Sequence, residues 1–113
     1  MSEGTIAFED FQKVDIRVGT ILSASLLEGA RKPSICLRID FGELGERQSA
    51  AQLTRHYDVT SLVGKQVLAV CNFEPRRIAG FRSEVLVCGF PDGDGEPVLV
   101  SPDIAVANGG RLF

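Results

Sequence analysis

Apolar residues arrive in short blocks separated by glycine and proline, and the blocks alternate with polar residues at a spacing of two. Ile16, Val18, Leu22, Ala24 and Leu26 keep that period, which predicts a first strand with one buried face. Gly19 inside it predicts a bulge or sharp bend, as a small closed barrel needs. Ile35, Leu37, Ile39 and Phe41 alternate with Cys36, Arg38 and Asp40 and predict a second strand. Arg47 to Leu53 reads as a third, with small residues where another backbone comes close. Thr54 to Leu62 is polar and broken, and predicts a short helical connection ended by Gly64. Val67 to Phe73 and Val85 to Phe90 are apolar on nearly every residue, so both faces of these strands should be covered. Val98 to Val100 is one more short strand after the turn from Pro91 to Pro97.

Outside these strands, Phe8, Phe11 and Val14 share one helical face and predict a short helix plugging an apolar opening. The tail from Ile104 to Ala107 is apolar, and Asn108 to Gly110 turns it. Five short strands with a helical insert between the third and fourth fit an all-β, five-stranded OB-fold Greek-key barrel with terminal extensions. A sandwich of similar strand count is the competing architecture. The chain has 113 residues and no internal repeat or linker, so residues 1–113 form one expected domain.

The formal net charge is −3, which argues against binding nucleic acid by a uniformly basic surface. A local patch would have to do it, and one stretch supplies the charge. Asn72 to Ser83 carries Arg76, Arg77 and Arg82, with Pro75 fixing φ and Gly80 permitting φ > 0. It reads as a stiff corner between two strands holding guanidinium groups at the rim of a sheet, matched to phosphate or carboxylate. A solvated hairpin with charged tips is the alternative. Cys36, Cys71 and Cys88 are odd in number, lack C-x-x-C spacing and sit in apolar runs, which predicts buried free thiols in a reducing cytoplasm. One histidine, His56, with three scattered cysteines makes no recognised zinc spacing, so neither metal nor cofactor is expected. No phosphate-loop, dinucleotide or hydrolase motif occurs, and no enzyme activity is expected. No apolar stretch approaches the ~20 residues of a membrane span, and the polar start lacks a secretory pattern.

Two motifs carry a family resemblance. Val14-Asp15-Ile16-Arg17-Val18-Gly19-Thr20-Ile21 resembles the opening of tRNA-binding domains, the OB-fold modules attached to some aminoacyl-tRNA synthetases and also found free-standing. Asn72-Phe73-x-Pro75-Arg76-Arg77-Ile78-x-Gly80-Phe81-x-Ser83 resembles that family's second signature. Asp40-Phe41-Gly42, Gln48 to Gln52 and Pro75 to Val87 are similar to the CsaA-type branch of export-related chaperones. Many tRNA-binding domains follow the serine with a small residue and methionine, whereas Ser83 is followed by Glu84-Val85-Leu86, which puts a negative charge beside the arginine corner.

The resemblance implies a barrel that forms a homodimer through its extensions. It implies a chaperone for unfolded or pre-export polypeptides with tRNA-binding capacity, or alternatively a structure-specific tRNA binder. The Sec export machinery is a further implied partner. The residues expected to contact peptide or tRNA are Arg17, Gln48, Ser49, Asn72, Phe73, Arg76, Arg77, Phe81, Arg82 and Ser83, with Arg31 and Lys32 on an adjoining loop. Each has a structural reading as well. Asn72 can cap a strand end, Gln48 and Ser49 can pair across strands, and Arg17 can pair with Asp15 or Asp40. Phe73 and Phe81 can belong to the core.

Overall fold

A computed structural model describes residues 4–113. The long strand β1 (Ile16–Leu27) pairs with β2 (Ser34–Asp40) along its second half and with β4 (Gln66–Val70) along its first. With β3 (Glu46–Ala51) and β7 (Leu86–Val87) these make one curled five-stranded sheet in the order β3-β2-β1-β4-β7. Two hairpins stand off it, β5 (Arg76–Ile78) with β6 (Phe81–Ser83), and β8 (Gly89–Pro91) with β9 (Pro97–Leu99). The architecture is the all-β, OB-like one that the pattern predicts. The expected fifth strand is broken: Val85 to Phe90 divides between β7 and β8.

The sheet curls around Ile21, Ile35, Leu37, Ile39, Phe41, Val67, Ala69 and Val85. The helix α2 (Val59–Leu62) adds Leu62, fully buried, to this core. Its start is built by reciprocal capping, because Asp58 accepts the Ser61 N–H at 2.7 Å while Ser61 Oγ accepts the Asp58 N–H at 3.1 Å.

Two expectations about β1 change. The bulge lies between Ile21 and Ser23, not at Gly19. The shift turns Ile21 into the core and leaves Leu22 exposed, so the simple period of two fails there. Gly19 serves close packing instead: a Cβ there would sit 2.6 Å from Ile39 Cγ2 and 2.8 Å from the Phe41 ring. The N-terminal helix α1 (Phe8–Gln12) plugs nothing, since it buries no residue and Phe8 stays exposed.

The β3 edge is closed by a seam to residues 82–85. Only one backbone pair bridges it, Glu84 N–H to Gln48 O at 2.8 Å. Side chains supply the rest. Ser49 Oγ donates to Val85 O at 2.8 Å, Gln48 Nε2 donates to Arg82 O at 2.8 Å, Ser83 Oγ accepts the Ala50 N–H, and Glu84 Oε1 accepts the Gln48 N–H. Edge groups that would otherwise go unpaired are satisfied in this way.

The tail supplies the missing cover for β1 and β4. Val18 N–H donates to Gly110 O, Gly109 N–H to Val18 O and Leu112 N–H to Ile16 O, so the tail lies beside the free half of β1. Two glycines with positive φ let it dock: a Cβ on Gly42 would meet Asn108 O at 2.4 Å, and one on Gly109 would meet Phe41 O at 2.4 Å.

Gly19→Ala should destabilise the fold by about 1–3 kcal/mol through overpacking, read as a lowered denaturation midpoint. Ser49→Ala should cost about 1–3 kcal/mol by removing the buried seam bond to Val85 O. An unchanged midpoint for Ser49→Ala would mean that the seam does not hold the barrel closed.

Candidate ligand-binding corner

The arginine stretch forms the β5–β6 hairpin. Its two-residue turn places Ala79 at φ 49° and Gly80 at φ 81°, the all-positive geometry that matches strand twist. Strand alternation then divides the side chains. Arg77 and Arg82 are directly opposed and share one side, while Arg76, Ile78, Phe81 and Ser83 share the other. Directly opposed like charges are unfavourable on a hairpin. Among the described residues, no carboxylate pairs with Arg76, Arg77 or Arg82, and Arg77 reaches only Gly80 O at 3.3 Å.

The loop after β1, residues 28–33, meets this hairpin: a Cβ at Gly29 would lie 4.0 Å from Ala79 Cβ. It carries Arg31 and Lys32, both exposed and also without an acidic partner among the described residues. Lys13, Arg17, Arg38, Arg55 and Arg111 all pair with carboxylates. Apart from Arg47, which bonds the Leu44 carbonyl, and Lys65, the cations without a carboxylate partner among the described residues lie on this hairpin and the adjoining loop. A basic notch of about 420 Å3 lies at the hairpin, lined by Glu74, Pro75, Arg76, Arg77 and Arg82.

On the other side of the hairpin is a groove of about 280 Å3 with a mainly apolar lining. Ala50, Phe73, Ile78, Val85 and Leu86 line it, with Arg76, Glu74, Ser83 and Glu84 among them. Phe73 is exposed, 55 %, and Phe81 is half-buried, so Phe73 is the aromatic ring available to a ligand.

Five other expected contact residues spend polar groups on the fold. Ser49 is buried and its hydroxyl is bonded across the seam. Gln48 and Ser83 are seam residues too, although Ser83 also borders the groove. Asn72 accepts the Asp15 N–H at 2.9 Å and donates to Lys13 O at 2.7 Å, tying the chain just after β4 to the start of β1. Arg17 lies away from the arginine corner. Its Nε donates to Asp15 Oδ1 at 2.6 Å and its Nη1 to Gly109 O at 2.9 Å. Arg111 pairs with Asp15 as well, at 3.5 Å, and also bonds Gln12 O. Asp15, Arg17, Asn72 and Arg111 thus form a clasp between α1, β1 and the tail.

Beside this clasp lie two further grooves. One of about 480 Å3 runs between Val18 and Leu68 of the sheet and Val106, Leu112 and Phe113 of the tail. One of about 200 Å3 lies between Phe8, Phe11 and Val14 and the same tail end. The sequence pattern marked both extensions as apolar but did not show that they meet.

The cysteines are free and half-buried, less enclosed than expected. Burial, with the Asp15 carboxylate adding to it, pushes the Cys71 thiol up to about 11 and keeps it protonated. His56 is exposed, lies 2.6 Å from Asp92 and links the insert to the β8–β9 turn. Among the described residues, no three His, Cys, Asp or Glu side chains form a metal cluster, and no helix is long and apolar enough to cross a membrane.

Comparison with known proteins agrees with this geometry. The crystal structure of the chaperone CsaA from Bacillus anthracis superposes with a TM-score of 0.92 at 46% identity, covering 97% of this chain and all of that one. CsaA from Picrophilus torridus gives 0.90 at 43% identity, with 96% of this chain and all of the other covered. A methionine–tRNA ligase of Porphyromonas gingivalis is 41% identical over 107 residues, 95% of this chain. The chain spans only 15% of that ligase, so the resemblance is to one segment of it. Residues 16–111 match the family model described as "Putative tRNA binding domain", and the chain belongs to that family.

Proposed function

We propose that this protein is a CsaA-like chaperone that holds unfolded or pre-export polypeptides and also binds tRNA, with no chemistry of its own. The observation that carries the binding reading is the β5–β6 hairpin. It opposes Arg77 to Arg82 without a carboxylate partner and has an apolar groove at its back. A hairpin that keeps like charges opposed is stabilised by an anionic ligand, and planar guanidinium groups suit phosphate. An apolar groove at an exposed hairpin suits an extended polypeptide. The full-length likeness to two proteins named as CsaA chaperones favours the polypeptide-holding role. The family match and the ligases among the relatives favour tRNA as the nucleic-acid partner. On this reading the protein works in the cytoplasm, ahead of the Sec export machinery.

The runner-up is a tRNA-binding protein without a chaperone role, favoured by the position of Arg31 and Lys32 beside the hairpin, where OB barrels engage oligonucleotides. Shape and phosphate recognition dominate in either case, because Phe73 is the one exposed ring at the corner.

Titrating total tRNA and an unstructured peptide at two salt concentrations separates the roles. tRNA affinity should fall steeply with salt, and peptide affinity should hardly move. Arg77→Ala and Arg82→Ala should each weaken tRNA binding and lower the salt slope by about one. Absence of tRNA binding at low salt sinks the RNA role. Absence of peptide binding, with refolding yields unaffected, sinks the chaperone role.

The protein is also a homodimer, joined at the end where α1 and the tail leave Phe8 and Phe113 exposed beside two grooves. Light scattering at micromolar concentration should give the mass of two chains, and a single-chain mass would contradict the dimer.

A further inference from the structure

The hairpin separates two surfaces of opposite chemistry. The notch on one side has three guanidinium groups against one carboxylate, Glu74. The groove on the other has two carboxylates, Glu74 and Glu84, against one guanidinium, Arg76, over its apolar lining. Glu84 is held in place. One of its oxygens accepts the Gln48 N–H at 3.1 Å, and its own N–H donates to Gln48 O at 2.8 Å. Among the described residues it has no cationic partner. A fixed, half-exposed carboxylate beside an apolar floor repels phosphate and favours an amine or guanidinium.

We propose that Glu84 is the charge selector of the groove: it favours extended apolar segments carrying a Lys or Arg, and it confines RNA phosphate to the Arg77–Arg82 side. The inference rests on the polypeptide-holding reading above and gives it a ligand class. The two ligands then occupy opposite sides of one hairpin, sharing only its edge at Glu74 and Arg76. Arg82 lines the RNA side and not the groove, whereas Glu84 lines the groove and not the RNA side, and it also borders a small cleft with Arg38 and Arg47.

The test uses the full chain and two labelled, unstructured Leu/Ala/Ser peptides that differ only in one central Lys or Glu, together with total tRNA. The wild type should prefer the Lys peptide by about fivefold, the ratio that one partly exposed ion pair supports. Glu84→Gln keeps the shape and the seam acceptor while removing the charge. It should abolish that preference, leave the thermal midpoint nearly unchanged and raise tRNA affinity. Arg82→Ala should lower tRNA affinity and leave the Lys preference intact. If the wild type binds peptides without discriminating between them, or Glu84→Gln keeps the preference, the selector role is overturned while the chaperone reading stands. If the wild type binds neither peptide, both are overturned.

Discussion

Closure of the β3 edge is the constraint on which the corner depends. A curled sheet of five short strands leaves one edge facing another across a gap too irregular for a full ladder. Here a single backbone pair and the side chains of Gln48, Ser49, Ser83 and Glu84 complete the closure. Because Arg82 and Ser83 belong to β6, these bonds tie the β5–β6 hairpin to the sheet at its base. It stands out with its turn at Ala79 and Gly80 and carries its arginines into solvent.

The family motifs divide along the same line. The first motif and Asn72 build the clasp at Asp15, which joins α1, β1 and the tail. The second motif, from Pro75 onward, builds the exposed hairpin. One set keeps the extensions docked, and the other presents charge. That division puts Arg17 in the clasp and not in the hairpin.

Charge is sorted as strictly as the backbone. Cations elsewhere are mostly neutralised by neighbouring carboxylates, whereas those of the corner keep none. Strand alternation then gives the hairpin a basic side and an apolar, acid-edged side within a few ångströms of backbone. A small barrel presents two chemically distinct surfaces in this way, and a net acidic chain keeps a local basic face.

The alternation of apolar residues marked the strands and the helical insert, because burial of one strand face follows directly from a period of two, but it left a sandwich open beside the barrel. The arginine corner was legible for the same reason, since Pro75 and Gly80 punctuate it. The bulge after Ile21 was not legible: one inserted residue leaves composition unchanged yet flips the faces beyond it. Nor could spacing tell which polar residues would be consumed by the fold. Ser49, Asn72 and Arg17 have the chemistry of ligand contacts, and in the fold they bond partners between 36 and 92 residues away. Strand period and local turn chemistry are properties of neighbours in the chain, so the sequence determined them by itself. Hydrogen-bond satisfaction and charge pairing depend on what folding brings together, so only the tertiary structure decided them.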